Sequence, residues 1–462
     1  MKPKYFLALG LLVLGLGSCG ESFFEQYPSN NITEGNFYKT DDDFNQGVVA
    51  CYAKLKTQMS FHLTEIGYRG DENVLESMAV STQNRYDIDH FAETANNGIL
   101  NDIWNAWYNG IYRCNDVLDH MTGAKIANYD KYRGECLFLR SWWDFNLYRV
   151  FGVVPITRTV VTPAAAKLIP RCTEEEMYTL LTEDLAEAAR LLPPTPGPEK
   201  ARVANIAAYT LLAKVYLTFG KPAEAKTALE EAMKNTSYGL ESTTKKVFDV
   251  GNKMNREIIF ALYYNKTNDN GHGYWYSANT DVLADINNPT PTFKAIYDSE
   301  KDNRLPLISS YTKIKDNLFA MTKWYDTYDA TYTTQVGNDF PHLRYADVVL
   351  MYAEALAESG GSLGDALEWL NKTRTRAGLD ELTTDEVKSL AEFRRELADE
   401  RGREFALEGH RWFDLVRLGL AVDYFREMGY SLDSHNLIFP IPQNQIEIVN
   451  NPSILWQNPG FN

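Results

Sequence analysis

Cysteine and histidine are scarce in this chain, 5 and 7 in 462 residues. No C-x-x-C occurs, and none of His62, His90, His120, His272, His342, His410 and His435 has an H-E-x-x-H neighbour, so the spacing of a zinc site is missing. No glycine-rich loop follows a strand-like run to cradle a phosphate, and Gly271-His272-Gly273-Tyr274 lacks the serine of a nucleophile elbow. No metal, cofactor or catalytic residue is therefore expected. Positive charge is also short: 46 Lys and Arg stand against 62 Asp and Glu, a formal net charge of -16. An acidic surface repels nucleic-acid phosphates and anionic lipid, which argues against a nucleic-acid partner and leaves neutral or cationic ligands.

Long apolar runs are missing beyond the first residues. Lys2 and Lys4 precede an apolar stretch at 5–16, broken only by glycine. That is too short for a spanning helix, which needs about 20 apolar residues, and it has the length and flanks of a secretory leader. It ends in Leu16-Gly17-Ser18-Cys19, the small-residue approach to a cysteine that a lipoprotein signal peptidase cleaves. Residues 1–18 are therefore expected to be a signal peptide, and Cys19 the acylated anchor of a chain held on a membrane by its lipid. Each buried CH₂ of such a lipid contributes about 0.8 kcal/mol. Losing Lys2 and Lys4 takes the net charge to -18. Cys51, Cys114, Cys136 and Cys172 remain. They allow three pairings into two disulfides, but without regular spacing, buried free thiols are the better reading.

What is present is helical period. Thr40 followed by Asp41, Asp42 and Asp43 reads as an N-cap with acids in the first turn, rather than a calcium loop. Helices are predicted at 103–121 and 132–151, the second stopped by Gly152 and Pro155. Thr173 and Glu176 form a capping box for a helix to Leu192. Two helical hairpins follow, 205–219 with 223–234 across Gly220-Lys221-Pro222, and 345–358 with 363–376 across a glycine-rich turn. Small residues where the helices cross resemble tetratricopeptide (TPR) repeats, imperfectly copied. Between the hairpins, 237–344 has weak helical period and is rich in Asn, Asp, Gly, Tyr and Trp. A long irregular stretch with that aromatic content is expected to carry function.

Three blocks resemble one family. Residues 132–155 contain Phe138-Leu139-Arg140 and then Phe151-Gly152-Val153-Val154-Pro155. Residues 400–417 contain Glu400-Arg401, Glu404-Phe405, Glu408-Gly409, Arg411, Asp414-Leu415 and Arg417. The end carries Pro440-Ile441-Pro442, Asn451-Pro452 and Gln457-Asn458-Pro459-Gly460. In this order they resemble SusD/RagB-like outer-membrane lipoproteins across essentially the whole chain. Read bottom-up, the second block is structural: Arg395 with Asp399, Glu400 with Arg403, Glu408 with Arg411, and Asp414 with Arg417 are spaced to pair along one last helix. The Pro-rich end reads as an extended strap.

The resemblance implies an all-α fold of irregular TPR-like hairpins with a loop-rich insertion, and a protein that captures oligosaccharides for a SusC-like TonB-dependent transporter. The division it implies is 1–18 signal peptide, 19–236 N-terminal helical region, 237–344 ligand-binding segment and 345–462 C-terminal region. Aromatic rings stack on the C–H faces of sugars, while Asn, Asp and Arg bond the hydroxyls. The expected platform is Trp275 and Trp324 with Tyr274, Tyr276 and Tyr325, oriented by Asn268, Asp269, Asp71 and Arg85. Trp104, Trp107, Trp142 and Trp143 fall in helical periods and are assigned to the core. The same frame binding peptides is the alternative. A glycosidase carboxylate pair is a third reading, which the repeat architecture argues against.

Overall fold

The structure, a computed structural model, describes residues 37–70, 83–197, 199–265, 277–279, 289–315, 318–326 and 337–461. Its first helix, α1 (Asp41–Gly67), starts on a full capping box between Thr40 and Asp43. Asp41 is occupied differently: its carboxylate accepts the Asn128 N–H at 2.9 Å and ties the helix start to a later turn. After α2 (Gln83–Asp89) come α3 (Gly98–Met121) and α4 (Tyr129–Phe151). These two lie so close that a Cβ on Gly110 would sit 2.3 Å from the Trp143 indole, so only glycine fits there. Trp104, Trp107, Trp142 and Trp143 are all buried, as their periods predicted.

The helices then stack in chain order, each mainly on its neighbour, the packing mode of repeat proteins. α5 (Glu174–Leu191) carries the predicted capping box at Thr173. Arg140 in α4 bonds Asp184 of α5 at 2.8 and 2.9 Å, Asn115 of α3 at 2.8 Å and the Arg158 carbonyl at 3.0 Å, joining three helices from one buried side chain. The first hairpin is α6 (Asn205–Thr218) with α7 (Pro222–Met233), turned by Gly220 at φ +67°. The second is α8 (Tyr345–Glu358) with α9 (Leu363–Arg376). Although 237–344 separates the hairpins in sequence, α7 packs directly on α8, and Tyr352 donates to Glu230 across the join at 3.1 Å. The repeat stack runs on while the intervening chain leaves it and returns.

That intervening chain is not purely loop. β1 (Ile258–Leu262) pairs antiparallel with β5 (Phe340–Arg344), and β2 (Ser277–Asn279), β4 (Leu318–Met321) and β3 (Tyr311–Lys315) form a second small sheet in that order. β1 and β5 are buried along their whole length, so they carry no polar–apolar alternation to betray them in the sequence.

The predicted last helix is two helices, α10 (Leu390–Glu404) and α11 (Arg411–Arg417), with Leu407 at φ +63° and Gly409 at φ +77° in the break. Two of the four predicted pairs form, Arg403–Glu400 and Arg417–Asp414. The break separates Glu408 from Arg411, which instead reaches Asp399 at 3.7 Å, while Arg395 bonds Glu427 of α12 (Ala421–Glu427). The C-terminal strap includes one short helix, α13 (Gln443–Val449), and is tied down by Asn458, whose amide donates to the Phe151 and Phe439 carbonyls. One apolar core runs from Phe44 to Leu455. Cys51, Cys114, Cys136 and Cys172 are buried free thiols. Among the described residues, no helix is long and apolar enough to cross a membrane.

Candidate functional site

The irregular segment is held to the repeat stack by buried charge. Arg344, at the end of β5, bonds Glu257 at 2.8 Å, Glu404 at 2.6 Å and Glu408 at 2.8 Å. Lys323 bonds Glu408 at 2.7 Å and the Ala406 carbonyl at 2.5 Å. Arg304 reaches Glu400 at 2.7 Å, Glu404 at 3.0 Å and Asp302 at 2.8 Å. Arg376 adds bonds to Glu257 and Glu404, and Arg403 to Glu400. Five cations thus meet five carboxylates, with half-buried Arg374 at the rim, 4.0 Å from Glu400. Burial alone would raise the Glu404 carboxyl, but Arg376, Arg344 and Arg304 outweigh it and hold it far below the usual range. Glu257, Arg304, Lys323 and Arg344 come from four points of the irregular segment, and Glu400, Glu404 and Glu408 from the C-terminal block. The block's carboxylates therefore clamp the segment in place.

Two separate chain segments, at Arg85 and at Tyr264, meet the C-terminal half of α1. Arg85 donates to Glu65 of α1 at 3.2 Å, and burial pushes that carboxyl up to about 7 against the opposing Arg85 charge. The Tyr264 hydroxyl donates to the Lys56 carbonyl of the same helix at 3.3 Å, and the Tyr264 N–H donates to Asp339 at 2.9 Å. Asp326 accepts the Gly337 N–H at 2.9 Å. Tyr263 is 44% exposed, with the Lys253 ammonium 4.1 Å from its ring centre. Tyr86 and His90 stack with centres 3.8 Å apart.

Of the expected site residues, Asp71, Asn268, Asp269, Tyr274, Trp275 and Tyr276 lie outside the described residues, as does Cys19. Arg85 lies against α1 through Glu65, and Tyr325 is half-buried, one residue after Trp324. Trp324 needs correction. It is 0% exposed, edge-on to Phe248 at 5.1 Å and beside Phe340 at 6.1 Å, so it offers no face to a sugar. It borders a cavity of about 20 Å³, room for a single water. Arg69, two residues before Asp71 in the sequence, is also core: it pairs with Glu93 against the rings of Phe91 and Phe439.

A second concavity went unread in the sequence. Trp104, Tyr108 and Tyr112, four residues apart on α3, line a groove of about 360 Å³ with Asn105, Asn115 and Gln445. Tyr112 is 46% exposed, and the Tyr108 hydroxyl donates to the Pro155 carbonyl at 2.7 Å. The i, i+4, i+8 spacing was the available signal, but the same spacing also describes a core face.

The architecture is a helical repeat stack that grips an irregular segment through buried ion pairs. The model described as "SusD family" matches residues 302–461, and the model described as "Starch-binding associating with outer membrane" matches 27–217. The chain belongs to the SusD/RagB-like family. It is 25% identical to SusD-like protein P2 of Formosa agariphila, over 99% of this chain and 100% of that protein. The Starch-binding protein SusD of Bacteroides thetaiotaomicron is 34% identical over 154 residues, 31% of this chain and 26% of that one. The solved structure of a laminarin binding SusD-like protein shares the fold, with TM-score 0.76 and 24% identity over 92% of this chain and 100% of that one.

Proposed function

We propose that this protein is a cell-surface lipoprotein, acylated at Cys19, that binds oligosaccharides and delivers them to a SusC-like TonB-dependent outer-membrane transporter. The observation that carries this reading is the family likeness from leader to strap, among relatives named for starch and laminarin binding. The ligand belongs on the face at the C-terminal half of α1, where the clamp holds the irregular segment. Trp275 and Tyr276, with Tyr274 and Tyr325, are the rings proposed to stack on the sugar, and Asn268, Asp269, Asp71 and Arg85 the side chains proposed for its hydroxyls. The protein binds without catalysis.

Affinity electrophoresis against a polysaccharide panel tests the reading. Retardation by at least one glycan, with no release of reducing ends, is the expected result. Loss of a main aromatic anchor in Trp275→Ala is expected to weaken binding about tenfold, roughly 1.4 kcal/mol. Retention of peptides and of no glycan would move the function to peptide capture in the same frame. The α3 groove supports a second placement of the sugar, because its three rings lie among amide side chains. Tyr112→Ala weakening glycan binding while Trp275→Ala does not would select it. Recovery of a barrel transporter in a mild-detergent pull-down is expected, and the lipoprotein alone under crosslinking would count against the partnership.

A further inference from the structure

A second cluster of buried charge lies where α4, α6, α8, α10 and α11 meet. Lys214 pairs with Asp347 at 2.5 Å. Arg401 bonds Asp347 at 2.9 Å and Asp414 at 2.7 Å, and Arg417 bonds Asp414 at 3.0 Å and also Glu354. Arg149, in the last turn of α4, is the fourth cation, and it has no carboxylate. Among the described residues, its single hydrogen bond goes to the neutral Asn146 side chain, and its buried Nε has no acceptor. The rings of Phe413 and Phe145 lie 4.0 and 4.7 Å from its guanidinium carbon. Four cations therefore share three carboxylates. His410 adds no charge, because burial, reinforced by Lys214, drives its pKa well down. The carbonyl end of α4 offers only about half a negative charge.

The cluster opens onto a cavity of about 350 Å³, lined among others by Arg149, Lys214, Arg417 and Thr218. That volume falls in the range of small-ligand sites. The two kinds of guanidinium respond in opposite directions. Burial pulls Arg149 down to about 9 despite Asp414 and Asp347, whereas the carboxylates around Arg417 overcome burial and raise it. Asp144, five residues earlier in α4, is a useful contrast. Among the described residues neither of its carboxylate oxygens has a hydrogen-bond partner, but burial pushes its carboxyl up to about 8, so it sheds its charge by keeping a proton. An arginine does not shed its charge this way at neutral pH.

The geometry points to an anion site in this cavity, in which the Arg149 fork, supported by Lys214 and Arg417, takes the carboxylate of a small organic acid such as an acidic sugar. A planar carboxylate matches a guanidinium edge bidentately and supplies the missing negative charge. The site is separate from the face proposed for glycans and does not depend on that reading.

Calorimetry on the full chain tests it with acetate, glucuronate, inorganic phosphate and glucose, with thermal melting alongside. Saturable binding of glucuronate, a matching rise in melting temperature and no response to glucose are expected. Arg149→Met, and Thr218→Tyr as a plug that leaves every charge in place, should each weaken binding at least tenfold. If Arg149→Met does not fold, Thr218→Tyr and the wild-type titration decide. Binding of neither carboxylate by the wild type overturns the proposal, as does binding unchanged in both variants. Phosphate bound at least tenfold tighter than either carboxylate overturns the ligand class.

Discussion

The two buried charge clusters are built from the same residue types and differ in their balance. Around Arg344, every described cation has a carboxylate partner, down to Arg374 at the rim 4.0 Å from Glu400, and the cluster joins distant chain segments. Around Arg149, four cations share three carboxylates, and the cluster opens onto a cavity. A buried ion network contributes little net stability compared with an apolar replacement, but breaking one partner strands the rest. The cluster whose cations are all paired thus reads as a structural clamp, and the one that leaves Arg149 without a carboxylate as a place for something else to bind.

Breaking the clamp should have the largest effect. Arg344→Met takes one cation from each of Glu257, Glu404 and Glu408, which keep only Arg376, Arg304 and Lys323 between them, and is expected to cost about 3–5 kcal/mol, read as the urea midpoint. A loss below about 1 kcal/mol would mean that the network does not bear on the fold. The pH response of Asp144 is next. Its folded pKa lies above its unfolded value, so the native state binds the extra proton and stability falls as pH rises between about 4 and 8. The slope from this one group is at most roughly 1.4 kcal/mol per pH unit. Asp144→Asn should flatten that part of the melting profile, stabilising the protein near pH 8 and leaving it little changed near pH 4. Arg149→Met, without added anion, should fall within about 1 kcal/mol of wild type, because it removes a half-buried cation that has no carboxylate partner and leaves every carboxylate of the cluster paired. A loss as large as that of Arg344→Met would erase the distinction between the clusters. The smallest effect is expected at Arg426 and Asp423, an exposed i,i+3 pair, where Arg426→Ala should leave the melting temperature unchanged.

Local signals along the chain predicted most of the helices. Thr40 and Thr173 cap as their spacing says, and the two hairpins fall at their predicted places because periodicity and turn glycines act over a few residues. The clamp was illegible for the opposite reason. Arg344 and Glu404 are 60 positions apart and Lys323 and Glu408 are 85, so spacing along one helix suggested the wrong partner for Glu408. β1 and β5 are buried on both faces and show no alternation. Trp324 stands among polar neighbours in sequence, yet the turn of chain after β4 carries it inward against Phe248 and Phe340. Its polar setting said loop, and only the fold of that loop decides which ring faces out.

The central claim is that the clamped irregular segment is what meets the glycan. Hydrogen–deuterium exchange on the full chain, with and without a saturating oligosaccharide identified by the panel, tests it most directly. Slowed exchange is expected in 266–276 and 327–336 and near Arg85, with no change at 146–152 or 411–417. Slowed exchange confined to α3 and the strap, with 266–276 and 327–336 unaltered, would contradict it.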